Sequence, residues 1–174
     1  MSDVNKPVVY NKSTRRVLVE IEGIEMELEA WELLRLFYDN ENIHFANTGS
    51  NMDSKICTDY LFIKVAENDE LWNCQVYLYT DVSLPFTSKS KPDFSSHKTI
   101  YHSELVKPGG KLLEKRKILV GSCIAKVMTN FTGKKLPYGS LLGVRPVKLA
   151  MQCVNDKMTR EEAVKHLVKI SDID

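Results

Sequence analysis

Four cysteines stand at Cys57, Cys74, Cys123 and Cys153, separated by 17, 49 and 30 positions. A metal or iron–sulfur site legible in sequence needs thiolates held by one loop or turn, as in C-x-x-C pairs, and this spacing offers none. Each cysteine lies in an apolar-rich stretch, where a thiol behaves as a small hydrophobe. The histidines His44, His97, His102 and His166 form no H-E-x-x-H pair, and His97 and His102 fall in a polar stretch that predicts solvent exposure. These residues therefore suggest no catalytic group and no metal site. Motif character is confined to Gly133-Lys-Lys-Leu-Pro-Tyr-Gly-Ser-Leu-Leu-Gly-Val-Arg-Pro-Val-Lys148. Gly139 and Gly143 permit a turning backbone and close approach of another surface. Arg145 and Lys148, at a predicted helix start, have the chemistry to hold a carboxylate or phosphate beside free backbone N–H groups. The segment is neither a P-loop nor a dinucleotide fingerprint. Two readings stand: a docking or anion-binding turn, and a structural turn joining two helices.

Charge is divided unevenly along the chain. Residues 1–100 carry 10 basic and 16 acidic side chains, and residues 101–174 carry 14 and 7. Between Lys107 and Lys148 there are ten basic residues and one acid, Glu114. Such a run suits a nucleic-acid face, an anionic ligand or an acidic partner, and equally the solvated faces of helices. Aromatic residues are not interleaved with the charges as a stacking platform requires, which favours the solvated faces.

The elements that must position these groups follow from periodicity. Val17–Glu22 alternates as a strand, and Gly23 ends it. Met26, Ala30, Leu33, Leu34 and Phe37 recur at helical steps, predicting a helix over Glu25–Tyr38 with glutamates at its positive start. Ile43–Ala46 is a short strand candidate. Asp59–Val65 and Trp72–Tyr79, rich in aromatic and β-branched residues, predict an antiparallel hairpin about the polar turn Glu67–Glu70. Asp81–Gly110 is dense in Ser, Pro, Lys and Thr without a sustained period, and reads as a loop or linker of unusual length. Leu112–Phe131 carries an apolar stripe through Leu113, Val120, Ile124, Val127 and Phe131, and Gly133 stops it. Pro146 suits a first helical turn, with Val147, Ala150, Met151 and Val154 continuing a short helix. Thr159 and Glu162 form a capping box for a last helix lined by Ala163, Val164, Leu167 and Val168.

The expected fold is α+β: a small antiparallel or mixed sheet covered by helices, with a helical C-terminal part. Residues 1–80 form the sheet portion, 81–110 the connection and 111–174 the helical portion, packed into one domain. No stretch reaches the roughly 18 apolar residues of a membrane span. The first ten residues lack the apolar core of a secretory signal, so the expected location is the cytoplasm.

The stretch LPYGSLLGVRPVKLAMQCVNDKMTREEAVKHL resembles the segment L-P-W-G-x-L-T-G-[IV]-R-P-T-K, followed by an EEA-bearing stretch, of HemZ-type oxygen-independent coproporphyrinogen III oxidases (coproporphyrinogen dehydrogenases). In those oxidoreductases of porphyrin biosynthesis the segment precedes a radical S-adenosylmethionine domain. The resemblance covers roughly the last 65 residues well and the first 80 in pattern only. Tyr138 stands where the family usually has Trp, and Leu142 and Val147 replace its threonines. The family's chemistry needs a C-x-x-x-C-x-x-C loop holding a [4Fe–4S] cluster, and this chain has none. The resemblance thus implies a non-catalytic N-terminal domain with no cofactor of its own. It would dock onto, or assist, a radical S-adenosylmethionine catalytic domain in cis or in trans through Gly139, Gly143, Arg145 and Lys148. The [4Fe–4S] cluster and S-adenosylmethionine would belong to that other domain, which the resemblance places just beyond Asp174.

A nucleic-acid-binding or regulatory module is the alternative. Structured RNA would meet the basic 107–148 region. The helices 145–155 and 159–170 also resemble a helix-turn-helix in outline, with Thr159, Arg160 and Glu161 placed to reach bases. Leu, Val and Ala dominate the second helix, however, which favours an ordinary helical hairpin.

Overall fold

Successive side chains of a strand point to opposite faces, and one face of this sheet is buried. In the computed structural model, which describes residues 10–46, 57–82, 91–101, 112–134, 136 and 146–171, β1 (Val17–Glu22) buries Val17, Val19 and Ile21. β3 (Asp59–Glu67) buries Asp59, Leu61, Ile63 and Val65, and β4 (Leu71–Thr80) buries Trp72, Cys74, Val76 and Leu78. The register places these sets side by side: Val19 opposite Leu61, Leu61 opposite Leu78, Val65 opposite Cys74. β2 (Ile43–Phe45) and β5 (Phe94–Tyr101) complete a five-stranded mixed sheet in the order β2-β1-β3-β4-β5. β1 runs parallel to β2 and β3, and β3-β4-β5 is an antiparallel meander.

Two helices cover the buried face. α1 (Glu27–Leu34) contributes Ala30, Leu33 and Leu34. α2 (Leu112–Thr132) lies over β4 and β5 and against α1, burying Leu119, Val120, Cys123, Ile124, Val127 and Met128. α3 (Pro146–Asn155) and α4 (Arg160–Ser171) follow as a hairpin whose second helix touches α2. The fold is therefore α+β, with a helical C-terminal part.

Two elements differ from their expected extents. α1 is shorter than Glu25–Tyr38, because its last turn tightens. The N–H groups of Leu36 and Phe37 donate to the carbonyls of Leu33 and Leu34, three residues back. This tighter winding swings Phe37 and Tyr38 fully into the core. The segment 81–110, expected to be loop or linker, supplies β5, paired from Leu71↔Tyr101 to Leu78↔Phe94. Its polar run Ser95-Ser-His-Lys-Thr99 hid the strand. An edge strand is specified by backbone pairing with one neighbour, and here only Phe94 and Ile100 pack against the core.

Glycine is required at the turn leaving β1. Gly23 sits at φ +91°, and a Cβ there would lie 1.9 Å from the Val65 carbonyl oxygen. Gly133, at φ +69°, ends α2 and donates its N–H to the Thr129 carbonyl at 2.8 Å, the left-handed helix stop its position predicts.

Candidate functional site

Of the residues singled out from spacing, Gly139, Gly143 and Arg145 lie outside the described residues. Lys148 falls in the first turn of α3, which Pro146 opens. The helical hairpin that follows is built locally. Lys157 takes a left-handed φ of +53°, its N–H donates to the Val154 carbonyl, and the Met158 N–H donates to the Cys153 carbonyl, both at 3.0 Å. This paired arrangement ends α3 and reverses the chain. α4 then opens on the capping box: Thr159 N–H donates to Glu162 Oε2 at 2.8 Å, and Glu162 N–H donates to Thr159 Oγ1 at 3.3 Å. The backbone hydrogen bond and the hydroxyl of Thr159 hold the Glu162 carboxyl below its ordinary pKa. Thr159, one of the three residues weighed as base-reading, is thus occupied in capping its own helix.

Several large apolar side chains of this hairpin are left exposed. Cys153 is buried, whereas Met151 and Val154 are 55% and 68% exposed on α3 and Val164 is 53% exposed on α4. Met151 and Val154 lie three apart, on one face of the helix. Grouped large apolar side chains left in water are characteristic of surfaces that meet a partner.

No family model and no curated protein matches the chain. The donor set for an iron–sulfur cluster can be tested on the four thiols themselves. Cys57 precedes β3, Cys74 is in β4, Cys123 in α2 and Cys153 in α3. Among the described residues no three His, Cys, Asp or Glu side chains converge to hold a metal ion. The four cysteines, all among the described residues, come from four separate segments and do not converge as a [4Fe–4S] donor set.

A second constellation, which sequence reasoning missed, lies at the end of the sheet where β1 and β3 begin and β4 finishes. Asp59 is fully buried. Arg15 donates from Nε to Asp59 Oδ2 at 2.8 Å, and its Nη2 closes a bidentate fork on Oδ1. The same Nη2 reaches Asp81 Oδ1 at 3.0 Å. Tyr38 donates its hydroxyl to Asp59 Oδ2 at 3.0 Å. The guanidinium also lies 5.0 Å from the ring centre of Phe131, at the end of α2, and Tyr10 packs edge-on against Phe131 and Tyr38. Five chain segments thereby meet on one charge pair. Three donated hydrogen bonds engage both oxygens of the Asp59 carboxylate, so the cluster acts as a lock. Its sequence signal was Asp59 itself, an acid in phase with Leu61, Ile63 and Val65.

The phenols of this end make stability depend on alkaline pH. Burial, reinforced by the Asp59 charge, pushes Tyr38 and Tyr10 well above the ordinary tyrosine pKa. Burial likewise pushes the Cys57 thiol up to about 11. In the unfolded chain these groups ionise near pH 8.5 to 10, roughly. Their contribution is therefore fully present at neutral pH and is lost as pH rises beyond that window. The urea midpoint should fall between about pH 8 and about pH 11, and Tyr38→Phe should shrink that fall. A midpoint that stays flat over the interval contradicts this.

The basic run is partly consumed internally. Lys117 pairs with Glu29 at 2.5 Å across α1 and α2, and Lys134 donates to the Leu36 carbonyl at 2.9 Å, while Lys126 is exposed. Beneath the Lys117–Glu29 pair, a cleft of about 30 Å³ between Ala30, Leu33, Val120 and Ile124 has room for one water and none for a substrate. Among the described residues, no helix is long and apolar enough to cross a membrane.

Proposed function

We propose that this chain is a non-catalytic docking domain for a radical S-adenosylmethionine barrel of the coproporphyrinogen dehydrogenase type, acting in porphyrin biosynthesis in cis or in trans. The observation that carries this reading is the exposure of Met151, Val154 and Val164. They stand on the hairpin that begins where the Leu136–Lys148 motif ends. The resemblance identifies what chemistry the partner has, and the exposed apolar residues supply a surface for it. The motif's glycines, Gly139 and Gly143, suit close approach, and Arg145 and Lys148 suit carboxylates or carbonyls on the facing surface. The cluster and S-adenosylmethionine would be held by the barrel, and this chain would hold neither.

The test is association in solution. The chain is titrated by calorimetry with a separately produced, cluster-reconstituted barrel of that class. A saturable complex is expected, weakened tenfold or more by the double variant Met151→Glu/Val154→Glu. Exposed positions tolerate such changes to within about 0.5 kcal/mol of stability each, so the variant should melt with the parent. Absence of a complex, or a complex indifferent to the double variant and to Arg145→Ala, sinks the proposal. Tighter binding to a structured RNA than to the barrel would favour the nucleic-acid alternative.

A further inference from the structure

Beneath β5, at the contact between the sheet and α2, two cysteines from distant parts of the sequence meet. Cys74 is central in β4 and Cys123 central in α2, and both are buried. The Cys123 thiol lies 3.9 Å from the Cys74 carbonyl oxygen, and the two thiols are near enough to influence each other's ionisation. The pair has a polar rim. Ser96 lies on β5, Ser122 stands beside Cys123 with its hydroxyl donated to the Leu119 carbonyl at 3.0 Å, and Lys98 is directly opposite Cys74 on β5. The neighbouring Cys74 thiol and the Lys98 charge favour the thiolate of Cys123 against the burial that disfavours it, while Cys123 and burial push the Cys74 thiol up. Cys123, the thiol nearer the Lys98 charge, is assigned the attack and Cys74 the resolving step.

We propose that Cys74 and Cys123 are a redox dithiol that closes reversibly to a disulfide joining β4 to α2. With oxidised glutathione as the oxidant, the Cys123 thiolate attacks one glutathione sulfur and expels the other as thiolate. Cys74 then loses its proton and attacks the Cys123 sulfur, expelling the second glutathione. The protein gives up two electrons and two protons, and one glutathione disulfide becomes two glutathione thiols. The route to the buried pair is the edge strand. β5 pairs with β4 alone, exposes Ser95 and His97, and carries Ser96 and Lys98 over the thiols. Local opening of such an edge takes far less free energy than unfolding the chain.

The experiment equilibrates the full chain, without denaturant, in buffers of stepped glutathione disulfide to thiol ratio. Free thiols are then trapped with an alkylating reagent, and the peptides are mapped by mass. The expected result is a single Cys74–Cys123 cross-link that grows with the ratio and is reversed by dithiothreitol, with Cys57 and Cys153 alkylated once the trapped chain is unfolded. Cys123→Ala should leave no intramolecular cross-link, and Cys74→Ala should leave Cys123 as a glutathione mixed disulfide. Should either variant fail to fold, the wild-type map still decides. Free thiols at both positions in the most oxidising buffer overturn the proposal. So does a cross-link that forms only in urea concentrations that unfold the chain, or one that recruits Cys57 or Cys153.

Discussion

Arg15→Met is expected to destabilise the fold by about 3–5 kcal/mol, the cost of leaving a buried charge without its partner. The side chain it removes is the one that neutralises Asp59, whose carboxylate is wholly inside and cannot recruit solvent. Only the Tyr38 hydroxyl would remain to serve it. Asp81, the other acid on Arg15, is 67% exposed, so Asp81→Asn should cost under about 1 kcal/mol. The contrast between two acids on one guanidinium separates burial from mere proximity. Urea unfolding followed by tryptophan fluorescence measures both. The double variant Arg15→Met/Asp59→Leu, which removes both charges and keeps the volume filled, should recover most of the loss. Equal, small effects of Arg15→Met and Asp81→Asn would mean that the pair is hydrated in solution and the lock is loose.

Gly23→Ala should be comparably severe, on the order of 3 kcal/mol, from two sources that add. The left-handed backbone at φ +91° strains any residue with a Cβ. That Cβ would also be driven into the backbone of the neighbouring strand, 1.9 Å from the Val65 carbonyl oxygen and 3.0 Å from its carbon. A flexible side chain would yield, but a carbonyl fixed within the sheet does not. Relief therefore requires displacing β3 or unwinding the end of β1, both central strands. A thermal melt of Gly23→Ala against Gly133→Ala makes the comparison internal. Gly133 is also left-handed, at φ +69°, but a Cβ there meets nothing within 4 Å. Its substitution should cost only the backbone term, about 1 kcal/mol. If the two variants melt together, the clash at Val65 is absorbed by movement and the prediction for Gly23 fails.

The exposed hairpin bears on the function proposed above in a specific way. The capping box, the left-handed turn at Lys157 and the proline start are local devices that fix where α3 and α4 begin and end. Helices of 10 and 12 residues are marginal without tertiary packing, so a partner that covers Met151, Val154 and Val164 would also stabilise the hairpin.

The local pattern of residues was sufficient for most elements. Alternation marked β1, because a strand with one face on a core repeats every two residues, and aromatic and β-branched content marked β3 and β4. Gly133 and the Thr159–Glu162 pair marked helix ends, because their conformations and hydrogen bonds involve only neighbours in sequence. The antiparallel pairing of β3 with β4 was legible from the short polar turn between them, but the direction of β1 was not: it lies between two parallel neighbours, and nothing within β1 encodes which strands arrive beside it. β5 was invisible because its identity rests on the hydrogen bonds β4 offers it, while its own residues are polar. The lock of Arg15 with Asp59, 44 positions apart, and the pair of Cys74 with Cys123, 49 apart, depend on how the sheet and α2 bring distant segments together. Sequence spacing determined what each segment becomes. Which distant charges and thiols meet was decided only by tertiary structure, since long-range contact depends on register and helix placement and on no local signal.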